Sequence, residues 1–277
     1  MFKKIVHILN FIYTKKIEEF FFVKWFNPFA TLYLYIRCLS LRDALKMPIL
    51  IYGFPRFYSL YGKISFPEKC YFGMVKINAS LSGAPSYTGG NTELNIWGNV
   101  IFRGKCVIGT SSKIGVGRNG ILDMGDGTKI MHYCNITAYS TIKIGEQSRI
   151  VHRCQVLDTN FHYIADFNNH LVKQQYTPIT IGTYCWICNS TTITGGAVIP
   201  NKTIVASNSL VGKDYSSVPE ESIIGGIPAK FIATGYRRVE NRMLESEIVN
   251  YFRNNPNEKI FKLPNDVSHD CCDVYND

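Results

Sequence analysis

The sequence predicts an all-β solenoid, a parallel β-helix of three-sided coils, and a regular spacing of apolar residues supports this. Large aliphatic residues recur at strict six-residue intervals in the second half of the chain: Ile181, Ile187, Ile193, Ile199, Val205 and Val211. A small residue follows four positions later, as in Cys185, Thr191 and Ala197. A period of six fits neither an α-helix nor a single strand. Three six-residue sides do make one turn of a triangular coil.

The six-residue period extends upstream with interruptions. Its members before the first change of frame are Ile96, Phe102, Ile108 and Ile114. The frame changes at Gly120 and again at Ile142, and the period then fails over residues 158–178 before it restarts at Ile181. A β-sandwich would instead show alternating strands with turn signals about every 8–12 residues. The six-residue step therefore favours the solenoid.

Residues 1–60 are predicted to form a helical extension that is rich in aromatic residues and lysine. Its apolar helical face contains Ile5, Ile8, Leu9, Ile12, Phe20 and Phe21. The longest uncharged run there, residues 25–36, is shorter than the roughly 20 residues of a membrane span. Two interpretations stay open. The extension caps the first coil and protects its open edge, or residues 1–40 lie on an anionic membrane.

The predicted β-helix domain covers residues 61–233, and residues 234–277 are predicted to contain a short helix and a disordered tail. Met243 and Leu244 begin an amphipathic pattern that Pro256 ends.

Nine cysteines without metal-ligand spacing predict reduced thiols and a cytoplasmic protein. The formal net charge of +9 suits a phosphate-rich ligand or an anionic membrane. We expect neither a nucleic-acid partner nor a metal.

The stretch from Ile179 to Ile232 resembles the C-terminal half of the hexapeptide-repeat O-acetyltransferases. This family includes maltose and galactoside acetyltransferases and the enzymes that decorate capsule and lipopolysaccharide sugars. The shared residues are Ile181, Gly182, Trp186 and Ile187, then Lys213 and Asp214, then Gly226, Pro228, Ala229 and Lys230. The resemblance covers about residues 96–233. It implies a left-handed β-helix and a homotrimer that binds acetyl-CoA in clefts between neighbouring prisms.

The interrupted segment begins with Asp158, Thr159, Asn160, Phe161 and His162. A loop that leaves a rigid scaffold is a common place for catalytic groups. An acceptor hydroxyl must lose its proton, and imidazole is the side chain best suited to take it near neutral pH. The family places its catalytic histidine at the corresponding point, which makes His162 the predicted general base. Asp158 or a backbone carbonyl would hold its other ring nitrogen, and Asn160 is a further catalytic candidate.

The resemblance also assigns residues to the oxyanion and to acetyl-CoA. The tetrahedral intermediate needs a fixed hydrogen-bond donor, and the family's backbone N–H at this point corresponds to Asn189. Cys188 stands where the family usually has glycine. The predicted cofactor-binding residues are Trp186, Ser207, Lys213 and Lys230. Ala233 replaces a second basic residue usual in the family, so Arg237 or Arg238 is a candidate substitute.

The sequence leaves two other functions open. Some hexapeptide-repeat proteins resemble carbonic anhydrases and bind zinc through three histidines, and His132 and His152 could join His162 or His170 in such a site. A catalytically inactive solenoid scaffold is the other alternative.

The predicted function is an acetyl-CoA-dependent O-acetyltransferase, acting by direct attack with no acyl-enzyme. Its acceptor is a small sugar or a glycan of the cell surface, or a precursor of such a glycan. The acceptor assignment rests on the family alone.

Overall fold

A computed structural model describes residues 25–79 and 90–274. Three sheets account for most of the regular structure, and a two-stranded hairpin stands apart from them. The first sheet contains β1 (Ile49–Ile51), β4 (Val75–Ala79), β7 (Cys106–Gly109), β10 (Lys129–Ile130), β13 (Arg149–Ile150), β18 (Trp186–Ile187), β21 (Ile204–Val205), β23 (Ser222–Gly226) and β24 (Ala229–Thr234).

The other two sheets are built in the same way. The second contains β2 (Arg56–Leu60), β5 (Glu93–Ile96), β8 (Lys113–Val116), β11 (Asn135–Ala138), β14 (Gln155–Leu157), β19 (Thr192–Thr194) and β22 (Leu210–Val211). The third contains β3 (Lys63–Ser65), β6 (Asn99–Phe102), β9 (Ile121–Met124), β12 (Thr141–Ile144), β17 (Ile179–Ile181) and β20 (Val198–Ile199). The hairpin contains β15 (Ala165–Asp166) and β16 (Leu171–Val172).

From β1 to β22 the chain visits the three sheets in rotation, so each full turn of the chain adds one parallel strand to every sheet. The first antiparallel pair within these sheets is β23 with β24, at the C-terminal end. We call the turn from the first to the second sheet the entry corner, represented by residues 188–191 and 206–209. The turn from the second to the third sheet is the exit corner, represented by residues 139–140 and 158–178.

The six-residue pattern marks the interior of this coil. Its aliphatic residues are at most 1 % exposed: Ile181, Ile187, Ile193, Ile199, Val205 and Val211. Each lies beside the residue one coil away, as Ile187 lies between Ile150 and Val205 in the register of the first sheet. The small residues Cys185 and Thr191 are buried as well. Full burial of each aliphatic side chain stabilises the fold by roughly 1.5–3 kcal/mol.

Ile187→Ala is expected to lower the free energy of unfolding by about 2–5 kcal/mol, because the lost side chain leaves a cavity between two coils. The matched control is Glu220→Ala, since Glu220 is exposed and accepts one hydrogen bond, from Asn201 Nδ2 at 2.8 Å. That change is expected to have little effect. Denaturant unfolding of both variants is the measurement. Equal losses of stability would contradict the inward position of Ile187.

The sheets begin earlier in the chain than the sequence predicts. The coils were expected from residue 61, whereas β1 already pairs with β4 and β2 with β5. Helix α1 (Pro28–Cys38) lies against this first coil with Leu34 fully buried. The Tyr35 hydroxyl donates a hydrogen bond to Ile49 O at 2.5 Å and accepts one from Ile49 N at 3.1 Å. A short helix, α2 (Leu41–Ala44), follows.

The C-terminal region also differs from the prediction of a disordered tail. Helix α3 (Arg242–Asn254) is present as expected, and a 3-10 helix (His269–Cys272) follows it. The backbone N–H groups of Glu240 and Asn241 both donate to Cys272 O, at 2.7 and 3.1 Å. Cys272 is buried. The tail is therefore held against the coil up to residue 274, the last one that the structure describes there.

Candidate active site

The segment that breaks the six-residue period projects from the exit corner as two antiparallel legs. Thr159 bridges Tyr176, and the Asn160 N–H donates to Gln175 O at 3.1 Å. The Thr177 N–H donates to Asp158 O at 2.9 Å, which closes the base of the loop. The hairpin of β15 and β16 forms its outer part, where Phe167 is 83 % exposed. These contacts give the loop a fixed root on the coil.

His162 lies at the root of this loop with an exposed side chain. The preceding residue, Phe161, has a positive φ of 60° and turns the chain there. The Phe161 ring meets the edge of Tyr139 with 5.7 Å between ring centroids, which anchors this turn to the exit corner of the coil below. An imidazole so placed is open to a substrate and stands on an ordered support, as a general base requires.

Asp158 is buried and its carboxylate serves the exit corner. Its two oxygens accept hydrogen bonds from the backbone N–H groups of Tyr139 and Ser140, each at 2.7 Å. Burial raises the pKa of this carboxyl group above its usual value, and these two hydrogen bonds act in the opposite direction. These are the contacts of a turn-capping carboxylate. The roles predicted for Asp158 and for the exposed Asn160 in catalysis remain predictions.

Asn189 and Ser207 lie at the entry corner on successive coils, and both are exposed. The Asn208 N–H donates to Asn189 O at 3.0 Å, which ties the two corners together. Ser190 adopts a positive φ of 60°, and its N–H donates to His152 O at 2.9 Å. Cys188, at the family's glycine position, is half-buried. The backbone at Asn189 is therefore fixed on one side and open to solvent on the other.

The predicted catalytic residues fall into two groups on opposite edges of the second sheet. His162 is at the exit corner and Asn189 is at the entry corner, with the strand Thr192–Thr194 between the two corners. At about 3.3 Å per residue, the side from Asn189 to Thr194 is roughly 15 Å wide. A general base and an oxyanion donor must both lie within hydrogen-bond reach of one reacting group. On this estimate the two corners of a single chain lie farther apart than that reach.

The predicted cofactor residues also lie on different parts of the coil. Lys213 follows β22 at the exit corner, exposed, with its Nζ 5.3 Å from the Tyr215 ring centroid. Lys230 is exposed on β24, where it pairs with Gly225. Trp186 is half-buried on the first sheet, and the Arg238 guanidinium carbon lies 5.1 Å from its ring centroid. A packing role for Trp186 fits this contact.

The arginines that were candidates to replace the family's second basic residue are engaged elsewhere. The Arg237 side chain is 6 % exposed and pairs with Glu221 at 3.0 Å and with Asp273. Arg238 pairs with Glu240, which also binds Arg149. Carboxylates neutralise both guanidinium groups. In this structure Arg237 holds the C-terminal tail through Asp273, and Arg238 lies between Glu240 and the Trp186 ring.

The histidines of the zinc alternative do not assemble around one point. His132 and His152 stack at the entry corner with 5.4 Å between ring centroids and 5° between planes. The Thr110 N–H donates to His132 Nδ1 at 3.0 Å. His162 and His170 lie on the loop at the exit corner, across the second sheet. In residues 25–79 and 90–274, no group of three His, Cys, Asp or Glu side chains is arranged to hold a metal ion.

Comparison with known proteins relates the chain to an O-acetyltransferase. No protein-family model matches the chain. The chain is similar to the putative lipopolysaccharide biosynthesis O-acetyltransferase WbbJ of Escherichia coli (strain K12), with 24% identity over 144 residues. The match covers 49% of this chain and 71% of the relative. It confirms the predicted resemblance to O-acetyltransferases of surface-glycan synthesis, and O-acetyl transfer is the activity in that relative's name.

Solved structures with partial likeness carry related names. The polysialic acid O-acetyltransferase OatWY has a TM-score of 0.43 and 18% identity, covering 72% of this chain and 100% of its own. The hexapeptide-repeat acetyltransferase VCA0836 of Vibrio cholerae, complexed with acetyl coenzyme A, has a TM-score of 0.34 and 24% identity. That match covers 47% of this chain and 63% of the other. TM-scores this low do not establish a shared fold.

Proposed function

We propose that this protein is an acetyl-CoA-dependent O-acetyltransferase on a left-handed parallel β-helix, and that a sugar hydroxyl of a surface glycan or its precursor is the acceptor. The observation that carries the proposal is the exposed His162 at the anchored root of the loop that interrupts the coil. The similarity to a lipopolysaccharide O-acetyltransferase supports the acetyl transfer and the class of acceptor.

The proposed reaction is a direct transfer in one active site. The acceptor oxygen attacks the thioester carbonyl carbon while the His162 imidazole takes the hydroxyl proton. The carbonyl oxygen becomes an oxyanion and accepts a hydrogen bond from the Asn189 backbone N–H. The carbon–sulfur bond then breaks, and the imidazolium returns the proton to the leaving CoA thiolate. No covalent acyl-enzyme forms in this scheme.

A second copy of the chain completes the site in this proposal. His162 and Lys213 lie at the exit corner, whereas Asn189 and Ser207 lie at the entry corner about 15 Å away at the rise per residue of a strand. A heterologous contact that joins the exit corner of one copy to the entry corner of the next makes a ring when the rotation between copies closes. Three copies related by a three-fold axis would make three equivalent acetyl-CoA sites, as the family resemblance implies.

The proposed acetyl-CoA contacts divide between the two copies. Lys213 would meet the cofactor from the copy that supplies His162. Ser207 and Lys230 would meet it from the neighbour, with Lys230 near the nucleotide phosphates. Trp186, on the neighbour's first sheet, would border the groove. The exposed lysine side chains offer positive charge to the phosphates without first breaking an ion pair with Glu221 or Glu240.

The test is an acceptor screen with acetyl-CoA that follows the release of free CoA. Monosaccharides, nucleotide sugars, lipid-linked sugars and oligosaccharides from surface glycans form the panel, and a reaction without acceptor corrects for thioester hydrolysis. The proposal predicts acceptor-dependent CoA release and an acetyl ester that mild alkali removes. If no sugar acceptor raises CoA release above the hydrolysis rate, the proposed activity is wrong.

The N-terminal helix has a second apolar face that the fold leaves exposed. One face of α1 lies on the first coil, as the capping interpretation predicts, but Phe29 is 84% exposed, Leu32 57% and Ile36 72%. Residues 1–24, which contain all five lysines of residues 1–40, lie outside the described residues. In the described part of the chain, no helix is long and apolar enough to cross a membrane. We propose that this outer face rests on the cytoplasmic surface of a membrane.

Full-length protein is expected to co-sediment with vesicles that contain anionic lipid at low salt, and a variant without residues 1–40 is expected to stay in the supernatant. Lysine-mediated adsorption should weaken with salt, because the Debye length falls from about 10 Å at 0.1 M to about 3 Å at 1 M. Neutral vesicles are the control. An absence of binding to anionic vesicles at low salt would leave only the capping role for this segment.

A further inference from the structure

A groove of about 390 Å³ follows the outer face of the second sheet beside the His162 loop. It extends across strands β2, β5, β8 and β11, on the coils that precede the loop, and Phe161 closes its end. The residue after Phe161 is His162. The groove therefore ends next to the predicted base, and none of the predicted acetyl-CoA contacts lines it.

Aromatic rings form one side of this groove. Trp97 is 38% exposed, Tyr139 is 41% exposed and Phe161 is 50% exposed. Gly117 allows this arrangement, because a Cβ there would lie 2.8 Å from Cδ1 of Tyr139 and would displace the ring. Tyr139 and Phe161 also hold each other edge to face. These rings are ordered, partly exposed and apolar, so a flat apolar face of a ligand can stack on them.

Amide and hydroxyl groups line the remaining surface. Asn95 Oδ1 accepts a hydrogen bond from Trp97 Nε1 at 3.1 Å, and Asn135 Oδ1 accepts one from the Thr137 hydroxyl at 3.2 Å. Each of these bonds orients an amide and leaves its NH₂ group as a donor. Glu93 lies 3.5 Å from Lys113, so charges of opposite sign are paired at the groove. This lining suits neither a strongly anionic nor a strongly cationic ligand.

A sugar ring combines an apolar C–H face with a rim of hydroxyl groups, and the groove offers a partner for each. Adjacent parallel strands lie about 4.8 Å apart, so the distance from β2 to β11 is about 14 Å. That length exceeds one pyranose ring. We propose that this groove binds the acceptor, and that the acceptor is an oligosaccharide or polysaccharide segment of several linked sugars. The inference rests on the proposed function, because the bound chain would present one hydroxyl to His162.

The test measures glycan binding directly, without acetyl-CoA, on an array of mono- to octasaccharide fragments from bacterial capsules and lipopolysaccharides. Labelled wild-type protein is expected to bind fragments of several sugars and to bind monosaccharides at least about tenfold more weakly, which corresponds to about 1.4 kcal/mol. Trp97→Ala and Tyr139→Ala are each expected to weaken the binding of the longer fragments by about tenfold or more. The control is Tyr71→Ala, because Tyr71 is an exposed aromatic residue outside this groove.

Three results would overturn the groove assignment. In the first, Trp97→Ala and Tyr139→Ala both bind the fragments as tightly as wild type does. In the second, the affinity does not depend on the length of the fragment, and in the third, wild-type protein binds no fragment. Thermal melting of each variant identifies a loss that comes from unfolding. His162→Ala separates this inference from the proposed function. That variant should bind the fragments normally while acetyl transfer falls. Fragment binding without any acetyl transfer by wild type would refute the activity and leave the groove assignment in place.

Discussion

His162→Ala is expected to lower the rate of acetyl transfer by about 10²–10⁴-fold, the usual contribution of a general base. The imidazole is exposed at the root of the loop and holds no place in the buried core. Its removal should therefore leave the melting temperature and the affinity for acetyl-CoA close to the wild-type values. Steady-state rates from CoA release, with KM for both substrates, separate a loss of kcat from a loss of binding.

The matched control for this variant is His170→Ala. His170 is on the same loop and is also exposed, but it lies on the outer hairpin rather than at the anchored root. Its replacement is expected to leave kcat within about a factor of two or three, as for a surface change that touches no catalytic group. A His162→Ala enzyme that keeps more than about a tenth of the wild-type rate would mean that another group takes the acceptor proton.

The repeat could be predicted from the sequence because one physical requirement produces it. Each six-residue side must place one large aliphatic side chain in the interior, so Ile187 and its counterparts are visible without any structure. The first coils are not visible in this way. Ile49–Ile51, Arg56–Leu60 and Lys63–Ser65 start seven residues apart, and the next strand, Val75–Ala79, starts twelve residues later. The longer turns of this first coil conceal its strands from a search for a period of six.

The tail was misjudged for a related reason. Residues beyond Pro264 are polar and lack a periodic pattern, which is typical of disorder. Their partners lie far away in the chain: Arg237 pairs with Asp273, and the backbone of Glu240 meets Cys272. A local pattern contains no information about contacts over such a distance. The same contacts occupy Arg237, which the sequence alone offered as a phosphate ligand.

The site residues were predicted one by one, and the family resemblance implied clefts between neighbouring prisms, but the corner of the coil at which each residue lies was not predicted. His162 could be singled out because it stands where the period fails. Asn189 and Ser207 are eighteen residues apart, one full coil, and so share a corner. Counting six-residue sides of the coil from Ser207 back to the loop would have placed His162 at a different corner from Ser207. The aromatic groove was missed because Trp97 and Tyr139 are separated by the change of frame at Gly120, which hides that both lie at the exit corner.

The proposed sharing of the active site between copies gives the second large expected effect. A bulky side chain in Ser207→Trp, at the exposed entry corner, is expected to block the proposed acetyl-CoA groove and abolish most activity. His162→Ala removes the base at the exit corner. In a three-fold ring with a site at each contact, any trimer that contains both variants has one contact that pairs an intact His162 with an intact Ser207. Such a mixed trimer is therefore expected to regain about one third of wild-type activity.

The direct measurement is co-expression of the two variants with different tags, followed by purification through both tags and an assay of acetyl transfer. Each variant expressed alone serves as the inactive reference, and co-expressed wild-type chains with both tags define full activity. The account predicts that doubly tagged oligomers recover about one third of that activity. Doubly tagged oligomers that form but remain as inactive as either variant alone would contradict a site shared between the exit corner of one copy and the entry corner of the next.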